Sequence, residues 1–452
     1  MNTPAIAAVI LAAGHGTRMK SATPKVLHEI GGRSMLAHAI ATATALEPQR
    51  VAVVIGDHAP AVGDAAREAR ADIAVAVQAP PRGTGDAVAK AMPALHGFSG
   101  VVVILYADTP LVETATLRAL IDKVAAGAAV AVLGFTPEDA GAYGRLKLGP
   151  DGALEAIVEA KDASAAELAI DFVNSGVMAV DAGFLARALP QLTNDNAKGE
   201  FYLTDIVAIA RKAGLRGAVE EADEDEVIGV NSRVELAVAE EIFQDRRRLA
   251  AMEAGVTLID PSTVYFAFDT EIAPDVVVEP NVYFGAGVSV ARGARIKASS
   301  HLEGAEVGED CVVGPFARLR PGTRLAAGAK VGNFVEVKNA DIGAGAKVSH
   351  LTYLGDATVG ADANIGAGTI TCNYDGFSKH RTEIGEGAFI GSNAALVAPV
   401  KIGPGAYVGS GSVITKNVEA DALAVARGRQ SEIKGWAAKL RAIHAGRAKG
   451  ET

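Results

Sequence analysis

The pattern of hydrophobic and polar positions changes at about residue 230 of the chain. Before that point, short aliphatic runs alternate with longer, alanine-rich amphipathic stretches. After it, single aliphatic or aromatic residues recur every six positions. Two such different periods predict two domains of different fold, which is also the expectation for a chain of 452 residues.

The first half predicts a parallel α/β sheet. Its aliphatic runs have the length of buried strands, and helix-length segments separate them. The runs are IAAVIL (6–11), VAVVI (51–55), IAVAV (73–77), VVVILY (101–106) and AVAVL (129–133). In βαβ units, ligands bind at the carboxyl ends of the strands. The segments LAAGHGTRM (11–19) and YADTP (106–110), at two such ends, are therefore candidate site segments.

The second half predicts a parallel β-helix. A six-residue repeat corresponds to one short strand and one corner, so three repeats make one triangular coil and the series amounts to roughly seven or eight coils. Glycine often follows the repeated residue, where it permits the corner. The stretch GAGTITCNYDGFSKHRTE (366–383) interrupts the repeat and is expected to form a loop outside the coil. The repeated positions are Ile272, Val278, Phe284, Val290, Ile296, Leu302, Val307, Val313, Leu319, Leu325, Val331, Val337, Ile342, Val348, Leu354, Val359, Ile365, Ile384, Ile390, Leu396, Ile402, Val408 and Ile414.

Two further segments predict helices. SRVE (232–235) has the spacing of a capping box and is expected to open a linking helix of about 20 residues. The resulting domain prediction is 1–229, a linker at 230–252, and 253–452. The C-terminal stretch 435–450 is expected to be a basic amphipathic helix, either a surface tail or a cap that completes a neighbouring subunit's site.

Composition narrows the function classes. A net charge of −10 argues against nucleic-acid binding, which needs a basic face. The sequence has neither a signal-peptide pattern nor an apolar run of about 18 residues, so a soluble, cytoplasmic protein without a membrane span is expected. Cys311 and Cys372 have no metal-site spacing, and nothing suggests a disulfide between them.

The glycine loop predicts a phosphate site of a particular kind. Met19 stands where a dinucleotide fingerprint needs its third glycine, and the loop lacks the Gly-Lys-Ser/Thr ending of a P-loop. Backbone N–H groups can still cradle phosphates, while Arg18 and Lys25 offset the charge of a departing pyrophosphate. Asp108, at the end of a later strand, is suited to Mg²⁺. A sugar phosphate is already anionic near pH 7, so no general base is needed. Either cation, taken alone, is also explained as a solvated surface charge.

Polar side chains interrupt the β-helix repeat and predict a second site. Arg320 and Lys338 stand 18 residues apart, one full coil, and are expected to stack as two cations for one phosphate. His350 is suited to accepting a proton from an amine that attacks a thioester. Against this stand a structural corner histidine, a metal site at His301, His350 and His380, and an acyl relay through Cys311, which occupies a small core position.

The motifs resemble a known family. LAAGHGTRMKSATPK is similar to the signature of sugar-phosphate nucleotidyltransferases, and the hexapeptides resemble those of left-handed β-helical acyltransferases. Together the chain resembles, over nearly its whole length, the bacterial bifunctional N-acetylglucosamine-1-phosphate uridylyltransferases/glucosamine-1-phosphate acetyltransferases. The segments fitting the uridylyltransferase branch are QAPPRGTGDA (78–87), YADTP, YGR (143–145), IVEAKDA (157–163), NSG (174–176), GEFYLTD (199–205) and GVNSR (229–233). Those fitting the acetyltransferase are GPFARLRPG (314–322), VGNFVEVK (331–338), SHLTYLGDA (349–357), NIGAGTITCNYDG (364–376) and LVAPV (396–400).

The resemblance implies an α/β Rossmann-like nucleotidyltransferase domain followed by a left-handed parallel β-helix. It implies acetyl transfer from acetyl-CoA to glucosamine 1-phosphate, then uridylyl transfer from UTP to N-acetylglucosamine 1-phosphate with Mg²⁺, in a homotrimer. The product, UDP-N-acetylglucosamine, serves peptidoglycan and lipopolysaccharide synthesis.

Site residues follow from the resemblance by position. UTP would be bound by Leu11, Ala12, Ala13, Gly14, Arg18, Lys25, Gln78, Gly83, Thr84, Tyr106 and Asp108, with Gln78, Gly83 and Thr84 reading the uracil. Mg²⁺ would be held by Asp108 and Asn231, and the N-acetylated sugar by Gly144, Glu159, Asn174 and Asn231. His350 would be the general base, with the sugar phosphate on Arg320, Lys338, Tyr353 and Asn364. Acetyl-CoA would lie on Ala367, Asn373, Tyr374, Ser392, Ser410 and Arg427.

Three positions depart from the family pattern. His15 stands in place of the usual Lys, Ala107 in place of Gly, and Ser410 in place of Ala. Two other functions stay open from the sequence. One is a nucleotidyltransferase whose β-helix is only structural; ADP-glucose pyrophosphorylases, for example, carry a short β-helix behind a similar first domain. The other is a β-helix scaffold whose nucleotide domain only senses its ligand.

Overall fold

The structure is a computed structural model that describes residues 4–448. The chain forms two compact units. The first extends to Ala250 and includes Phe266–Phe268, and the second comprises Ala251–Tyr265 and the residues from Asp269 onward.

The first unit alternates strands and helices along the chain. Its elements are β1 (Ile6–Ala12), β2 (Glu29–Ile30), β3 (Arg33–Ser34), α1 (Met35–Thr44), β4 (Arg50–Gly56), α2 (Pro60–Ala69), β5 (Ala74–Gln78), α3 (Thr84–Ala91), β6 (Val101–Tyr106), α4 (Thr114–Ala125), β7 (Val130–Phe135), β8 (Arg145–Leu148), β9 (Leu154–Val158), α5 (Ala165–Leu168), β10 (Val173–Asp181), α6 (Ala182–Ala188), α7 (Asp205–Lys212), β11 (Gly217–Glu221), α8 (Glu224–Val227) and α9 (Arg233–Glu253). All five strands predicted from the aliphatic runs are confirmed.

The sheet of the first unit is mixed, so the expectation of a parallel sheet was wrong. Its strand order is β5-β4-β1-β6-β10-β7-β11-β9-β8. The pairs β1–β4, β1–β6, β4–β5 and β7–β11 are parallel, whereas β10 runs antiparallel to both β6 and β7. Strand β10 carries the polar NSG segment (174–176) directly after its first residue, so it lacks the unbroken apolar run of a strand buried on both faces.

The four parallel strands β5, β4, β1 and β6 place the first site. They are neighbours and point the same way, so their carboxyl ends lie along one edge of the sheet. Ala7–Ile10 of β1 are completely buried, which anchors the strand whose end carries the glycine loop. Loops at this edge are therefore held on a rigid support.

The second unit is built of short strands and one C-terminal helix. Its elements are β12 (Thr257–Leu258), β13 (Tyr265–Phe266), β14 (Glu271–Ile272), β15 (Val277–Val278), β16 (Tyr283–Phe284), β17 (Ser289–Val290), β18 (Arg295–Ile296), β19 (His301–Leu302), β20 (Ala305–Val307), β21 (Val312–Val313), β22 (Arg318–Leu319), β23 (Thr323–Leu325), β24 (Lys330–Asn333), β25 (Glu336–Ile342), β26 (Lys347–His350), β27 (Tyr353–Val359), β28 (Asn364–Ile365), β29 (Ile370–Cys372), β30 (Thr382–Ile384), β31 (Phe389–Ile390), β32 (Ala395–Val397), β33 (Val400–Ile402), β34 (Tyr407–Val408), β35 (Val413–Ile414), β36 (Leu423–Ala424) and α10 (Trp436–Ala448).

These strands form a parallel β-helix in which each strand pairs with its counterpart on the next coil. One sheet has 10 strands, from β12 to β36, and a second has 15 because β25 and β27 bend around a corner and join two faces. The sequence expectation of seven or eight coils is too low. The outermost strands, β12 and β36, lie beyond the counted repeats, where the hexapeptide pattern has faded.

The predicted loop at 366–383 is shorter than expected. Strand β29 pairs with β27 and β32, and β30 pairs with β27 and β33, so both remain in the coil. Only 373–381 leave it. The prediction missed β29 because its inward residue is Thr371, which is 1% exposed and polar. The Thr371 hydroxyl accepts a hydrogen bond from Gly355 N at 2.8 Å, which satisfies its burial.

Both predicted helices exist, with differences in detail. Ser232 Oγ accepts from Glu235 N at 3.3 Å, but the Glu235 carboxylate reaches Asn231 N at 2.8 Å rather than the Ser232 amide of a standard capping box. Helix α10 covers most of 435–450, whose last two residues lie outside the described part. Residues 436–445 are all exposed, which leaves open whether the helix is a surface tail or a cap on a neighbouring subunit. Among the described residues, no helix combines the length and apolarity needed to cross a bilayer.

Candidate functional site

A cleft of about 380 Å³ opens at the carboxyl edge of the first unit's sheet. Ten of the eleven predicted nucleotide residues line it, and Arg18 does not; it lies exposed on the short turn after the loop. The complete lining is Leu11, Ala12, Ala13, Gly14, His15, Lys25, Val26, Gln78, Pro81, Gly83, Thr84, Ala87, Tyr106, Asp108 and Glu200.

The two glycines of the loop are explained by different structural reasons. Gly16 has φ +61°, and a Cβ there would lie 2.5 Å from the Cβ of Lys25, so packing within the protein explains it. A Cβ on Gly14 would meet nothing within 4 Å. Gly14 instead leaves its backbone open towards the cleft, which suits close approach of a phosphate group.

Lys25, which lines the cleft, links two side-chain oxygens by hydrogen bonds. Its Nζ donates to Asp108 Oδ2 at 2.5 Å and to Asn231 Oδ1 at 2.9 Å. The backbone repeats the link, since Val230 N donates to Asp108 O at 2.8 Å. A carboxylate and a carboxamide oxygen thus converge on one cation. Because Mg²⁺ prefers such hard oxygen ligands and completes its shell with water and substrate phosphates, this donor set fits Mg²⁺.

The far end of the cleft is ordered around Gln78. This buried side chain donates to Gly83 O at 2.9 Å and to Asp86 Oδ2 at 2.8 Å. Gly83 has φ +103°, and a Cβ there would lie 2.6 Å from Phe201 O, so only glycine fits. Thr84 Oγ1 accepts from Leu203 N at 3.1 Å. The three residues predicted to read uracil therefore form one fixed wall.

The predicted sugar residues Gly144, Glu159 and Asn174 come together. A Cβ on Gly144 would lie 3.6 Å from Glu159 Oε1 and 3.8 Å from Asn174 Cβ. Thr204 Oγ1 donates to Glu159 Oε1 at 3.3 Å. Burial raises the pKa of the Glu159 carboxyl, opposed by the nearby charge of Lys198.

Tyr106 connects this group to Asp108. Burial is the main cause that raises the pKa of the Tyr106 hydroxyl, and the charges of Asp108 and then Glu159 add to it. Gly176 gives the ring its space, because a Cβ there would lie 2.8 Å from Tyr106 Cε2. The fourth predicted sugar residue, Asn231, is tied to Asp108 through Lys25.

The departures at 15 and 107 differ in position. Ala107 is completely buried and its amide donates to Leu11 O at 3.0 Å, so its methyl group faces the interior. His15 lines the cleft itself.

In the second unit, five residues form a column at the ends of strands in the ten-stranded sheet. We call this set the end-of-strand column: Asn333, His350, Ala367, Ser392 and Ser410. The first four carbonyls accept hydrogen bonds from the next coil, through the amides of Leu351, Gly368, Asn393 and Gly411 at 2.7 to 3.2 Å. Ser410 O accepts from Arg427 Nη1 at 2.7 Å. The predicted base and three of the predicted acetyl-CoA residues thus lie in one row, and a fourth, Arg427, is hydrogen-bonded to the last of them.

His350 is oriented by Asn333. Strands β24 and β26 place the two residues opposite each other, and His350 Nδ1 lies 2.5 Å from Asn333 Oδ1. A carboxamide oxygen only accepts, so Nδ1 carries the proton in this contact and Nε2 is left as the acceptor. That is the tautomer a general base needs.

Three cations gather one face away from this column. Arg318↔Glu336 and Leu319↔Val337 pair between coils, which sets Arg320 beside Lys338 as the 18-residue spacing predicts. Arg320 Nη1 also donates to Glu336 Oε1 at 2.8 Å. The contact with Lys379, and then the charges of Lys379 and Arg320, lower the pKa of the Lys338 ammonium. A bound anion would relieve this mutual repulsion, so the group is suited to a phosphate.

Tyr353 and Asn373 border the cation group. A Cβ on Gly355, which pairs with Lys338, would lie 2.3 Å from Tyr353 Oη and 2.8 Å from Asn373 Nδ2. Asn373 Nδ2 donates to Asp356 Oδ2 at 2.5 Å, and Asp356 also accepts from Asn339.

The other predicted residues of the second unit lie apart from these contacts. Tyr374 is exposed in the 373–381 loop, where its hydroxyl donates to Gly376 O at 2.6 Å. Asn364 lies in β28, opposite Lys347.

The geometry supports neither the metal site of three histidines nor the acyl relay through a cysteine. His301 stacks on Tyr283 with ring centroids 4.8 Å apart, and His380 Nε2 lies 2.8 Å from Asp375 Oδ2, so neither joins His350. Cys311 is completely buried, and burial raises the pKa of its thiol. A buried, protonated thiol is a poor nucleophile.

Sequence reasoning missed Asn333, Glu336 and Lys379. Asn333 stands 17 residues before His350, one coil with a single deletion, so the repeat itself contains the signal once the slip is placed. Glu336 could be found in the same way from Arg320. Lys379 could not, because it comes from the loop that leaves the coil.

Comparisons with known proteins agree with both units. The family model of the MobA-like NTP transferase domain matches residues 8–225, and that of the bacterial transferase hexapeptide (six repeats) matches residues 381–416. The predicted fold class is thereby confirmed, namely an α/β nucleotidyltransferase domain followed by a left-handed parallel β-helix.

Curated relatives match along almost the entire chain. The bifunctional protein GlmU of Hyphomonas neptunium is 56% identical over 96% of this chain and 95% of its own length. Its namesakes in Azorhizobium caulinodans, at 57% over 98% of both chains, and in Caulobacter vibrioides, at 55% over 97% and 95%, are equally similar. The end-of-strand column, the cleft and these matches give one conclusion: the chain belongs to the family of the bifunctional protein GlmU.

Proposed function

We propose that the chain makes UDP-N-acetylglucosamine in two steps at two separate sites. The β-helix transfers an acetyl group from acetyl-CoA to glucosamine 1-phosphate, and the α/β unit then transfers a uridylyl group from UTP to the product. Membership of a bifunctional family supports two activities. The observation that carries the assignment is the pairing of a phosphate cleft in one unit with the end-of-strand column in the other.

In the first reaction site, a phosphate oxygen of N-acetylglucosamine 1-phosphate attacks the α-phosphorus of UTP. The bond from that phosphorus to the bridging oxygen breaks, and pyrophosphate leaves with the electron pair. The open backbone at Gly14 receives the phosphates, and Lys25 neutralises charge as it develops. Asp108 and Asn231 would hold Mg²⁺, which supplies charge neutralisation and orientation of the phosphates.

The sugar and base are held by the two flanking walls. Gln78, Gly83 and Thr84 line the cleft and are fixed by hydrogen bonds, and such a preformed wall suits recognition of a planar base. Glu159 and Asn174 flank the space left by Gly144 and accept hydrogen bonds from sugar hydroxyl and acetamido groups.

In the second site, the amine of glucosamine 1-phosphate attacks the thioester carbonyl of acetyl-CoA. His350 Nε2 takes the proton from the amine, the carbon–sulfur bond breaks, and the protonated His350 returns the proton to the departing sulfur, so coenzyme A leaves as the thiol. Asn333 keeps Nε2 unprotonated before the reaction. Arg320, Lys338 and Lys379 bind the phosphate, with Tyr353 and Asn364 as further sugar-phosphate contacts.

Acetyl-CoA lies along the end-of-strand column. From His350 to Ser410 the column rises by three coils, roughly 14 Å, since strands are spaced by about 4.8 Å. An extended thioester can therefore reach from Arg427, a cation at the far end, to the base at the near end. Asn373 and Tyr374 are assigned to the same co-substrate.

The remaining assignments concern organisation. Residues 1–229 form the uridylyltransferase domain, 230–252 the linker, and 253–452 the acetyltransferase domain. We place the enzyme in the cytoplasm, together with its nucleotide substrates.

A homotrimer is part of the same proposal. Phe316 and Phe334, at half exposure, stack with centroids 5.2 Å apart next to Asn333, and Leu351 continues this apolar ridge beside His350. An exposed apolar ridge of this kind is typical of a surface that contacts another subunit. Sedimentation equilibrium tests the trimer, and a monomeric mass would refute it.

Substitution of Asp108 tests the first site. In Asp108→Asn, UTP-dependent pyrophosphate release should fall at least 100-fold, as for loss of a charge that acts in the transition state, and the Mg²⁺ concentration needed for half activity should rise. Asp64→Asn, which alters an exposed ion pair on α2, is the matched control. Retention of normal release by Asp108→Asn would refute the assignment.

A further inference from the structure

Two histidines form a contact at the glycine loop that the proposed chemistry does not use. His15 belongs to the loop after β1, and His58 follows the end of β4. Their rings stack with centroids 4.0 Å apart and an angle of 25° between the planes. Since β1 and β4 are neighbouring parallel strands, both histidines are anchored at the same edge of the sheet.

The position of His58 is built into the end of β4. A Cβ on Gly56 would lie 2.3 Å from His58 Cε1 and 2.4 Å from His58 Nδ1, so the imidazole lies back across the glycine. The same Cβ would be 3.2 Å from Ala13 O, which shows how closely the loop passes. Gly56 thus provides the space in which His58 supports His15.

His15 has the chemistry of a phosphate ligand. It lines the cleft together with Gly14 and Lys25, where the polyphosphate of a nucleoside triphosphate is placed by the proposed function. An imidazole donates from both nitrogens when protonated and can attract an anion, but when neutral it donates from only one. A lysine at this place would keep its charge across the whole physiological range.

We propose that His15, positioned by His58, is a titratable ligand of the triphosphate, so that the affinity for UTP falls as pH rises through the imidazole range. This inference rests on the proposed function of the first site. It makes His15 a substrate-affinity determinant and His58 a positioning residue.

Charged groups of both signs surround the pair of histidines. Asp57 Oδ1 lies 3.9 Å from His58 Nδ1 and is the anion nearest to that ring. On the cleft side, Lys25 disfavours a second cation, whereas Asp108 and Glu200 favour it. Arg18 is the other cation of the loop. Two stacked imidazolium rings repel each other, whereas the negative charge of a triphosphate beside His15 favours the protonated form of His15.

The test compares UTP binding by calorimetry, with Mg²⁺ present, at about pH 6 and about pH 8.5, on either side of the ordinary histidine pKa. The variants are His15→Lys, His15→Asn and His58→Ala. The affinity of each protein for UTP is divided by that of His15→Lys at the same pH, and this affinity ratio removes the effect of the titration of UTP itself. Wild type should bind within about twofold of His15→Lys at the lower pH and about tenfold more weakly at the higher pH, the effect of one charge-assisted hydrogen bond.

The other variants separate positioning from charge. His15→Asn should bind with the weak, high-pH affinity at both pH values relative to His15→Lys. In His58→Ala the ratio should change with pH by less than half as much as in wild type. A ratio that is the same at both pH values in wild type would overturn the inference while leaving UTP binding and pyrophosphate release intact. Failure of wild type to bind UTP or release pyrophosphate would instead overturn the proposed function.

Discussion

Replacing Asn333 should impair acetyl transfer through the imidazole that it orients. In Asn333→Ala the Nδ1 contact at 2.5 Å is lost, and nothing then selects the tautomer with a free Nε2. His350 is exposed, so water competes for the same nitrogen. The hydrogen bond from Nδ1 is therefore expected to contribute about 1 kcal/mol to the preference for this tautomer. That corresponds to about a fivefold loss in kcat, because each 1.36 kcal/mol is tenfold.

A second substitution separates orientation from mere structure. In Asn333→Asp the carboxylate still accepts from Nδ1 and adds a negative charge at roughly 4 Å from the ring centre, worth about 1 kcal/mol in water. That charge favours the protonated imidazolium of His350 over the neutral ring. A base works only when neutral, so the acid limb of the pH–rate profile should move to higher pH, with the plateau retained.

The assay is thiol release from acetyl-CoA with glucosamine 1-phosphate, measured from about pH 5.5 to about pH 9 to span the histidine range. Asn417→Ala is the matched control, because Asn417 is an exposed β-helix asparagine whose side chain accepts one hydrogen bond, from Lys401 N at 2.9 Å. UTP-dependent pyrophosphate release should stay normal in all variants. Equal kcat in Asn333→Ala and wild type, with an unmoved acid limb in Asn333→Asp, would show that Asn333 does not position the base.

Three further predictions concern other parts of the molecule. Burial raises the pKa of Glu159, so kcat/KM for N-acetylglucosamine 1-phosphate should begin to fall, as pH is lowered, at a higher pH than for an ordinary glutamate. Glu159→Gln should abolish this acid limb of the pH profile. An acid limb that survives in the variant contradicts the assignment. Lys379→Met should raise KM for glucosamine 1-phosphate about tenfold with little change in kcat, since a charge-assisted contact is lost, whereas Lys330→Met, at an exposed lysine elsewhere, should not; equal KM values would exclude Lys379 from the phosphate site. Thr371→Val should lower the free energy of unfolding by about 1–3 kcal/mol because the buried Gly355 amide loses its acceptor. Urea denaturation measures this change, with Thr257→Val at an exposed threonine as the control. Equal changes in the free energy of unfolding of the two variants would disprove the reasoning.

The β-helix was the most predictable part of the fold, because its period is written directly in the side chains that point inward. Val278, Phe284 and Ile296 are buried at each strand, as the hexapeptide pattern predicts. The pattern fails where a polar residue takes the inward place, as Thr371 does by using its hydroxyl on a backbone amide. In the first unit, the aliphatic runs did not reveal β10, whose direction depends on tertiary pairing with β6 and β7.

The sites were predictable to the extent that a motif carries them. The glycine loop and Asp108 stand at strand ends, where general rules for α/β sheets expect ligands. Local spacing does not reveal that Lys25 joins Asp108 to Asn231, since 206 residues separate Lys25 from Asn231. For the same reason the stacking of His15 on His58 and the approach of Lys379 to Lys338 follow only from the fold.

The central claim is that two chemically independent sites lie in one chain, and one crossed experiment tests it most directly. Thiol release with glucosamine 1-phosphate and pyrophosphate release with N-acetylglucosamine 1-phosphate would be measured on wild type, His350→Ala and Asp108→Asn. We predict that His350→Ala loses thiol release and keeps pyrophosphate release, and that Asp108→Asn does the reverse. A wild type that releases pyrophosphate but no thiol, or a His350→Ala variant with both activities intact, would contradict the account.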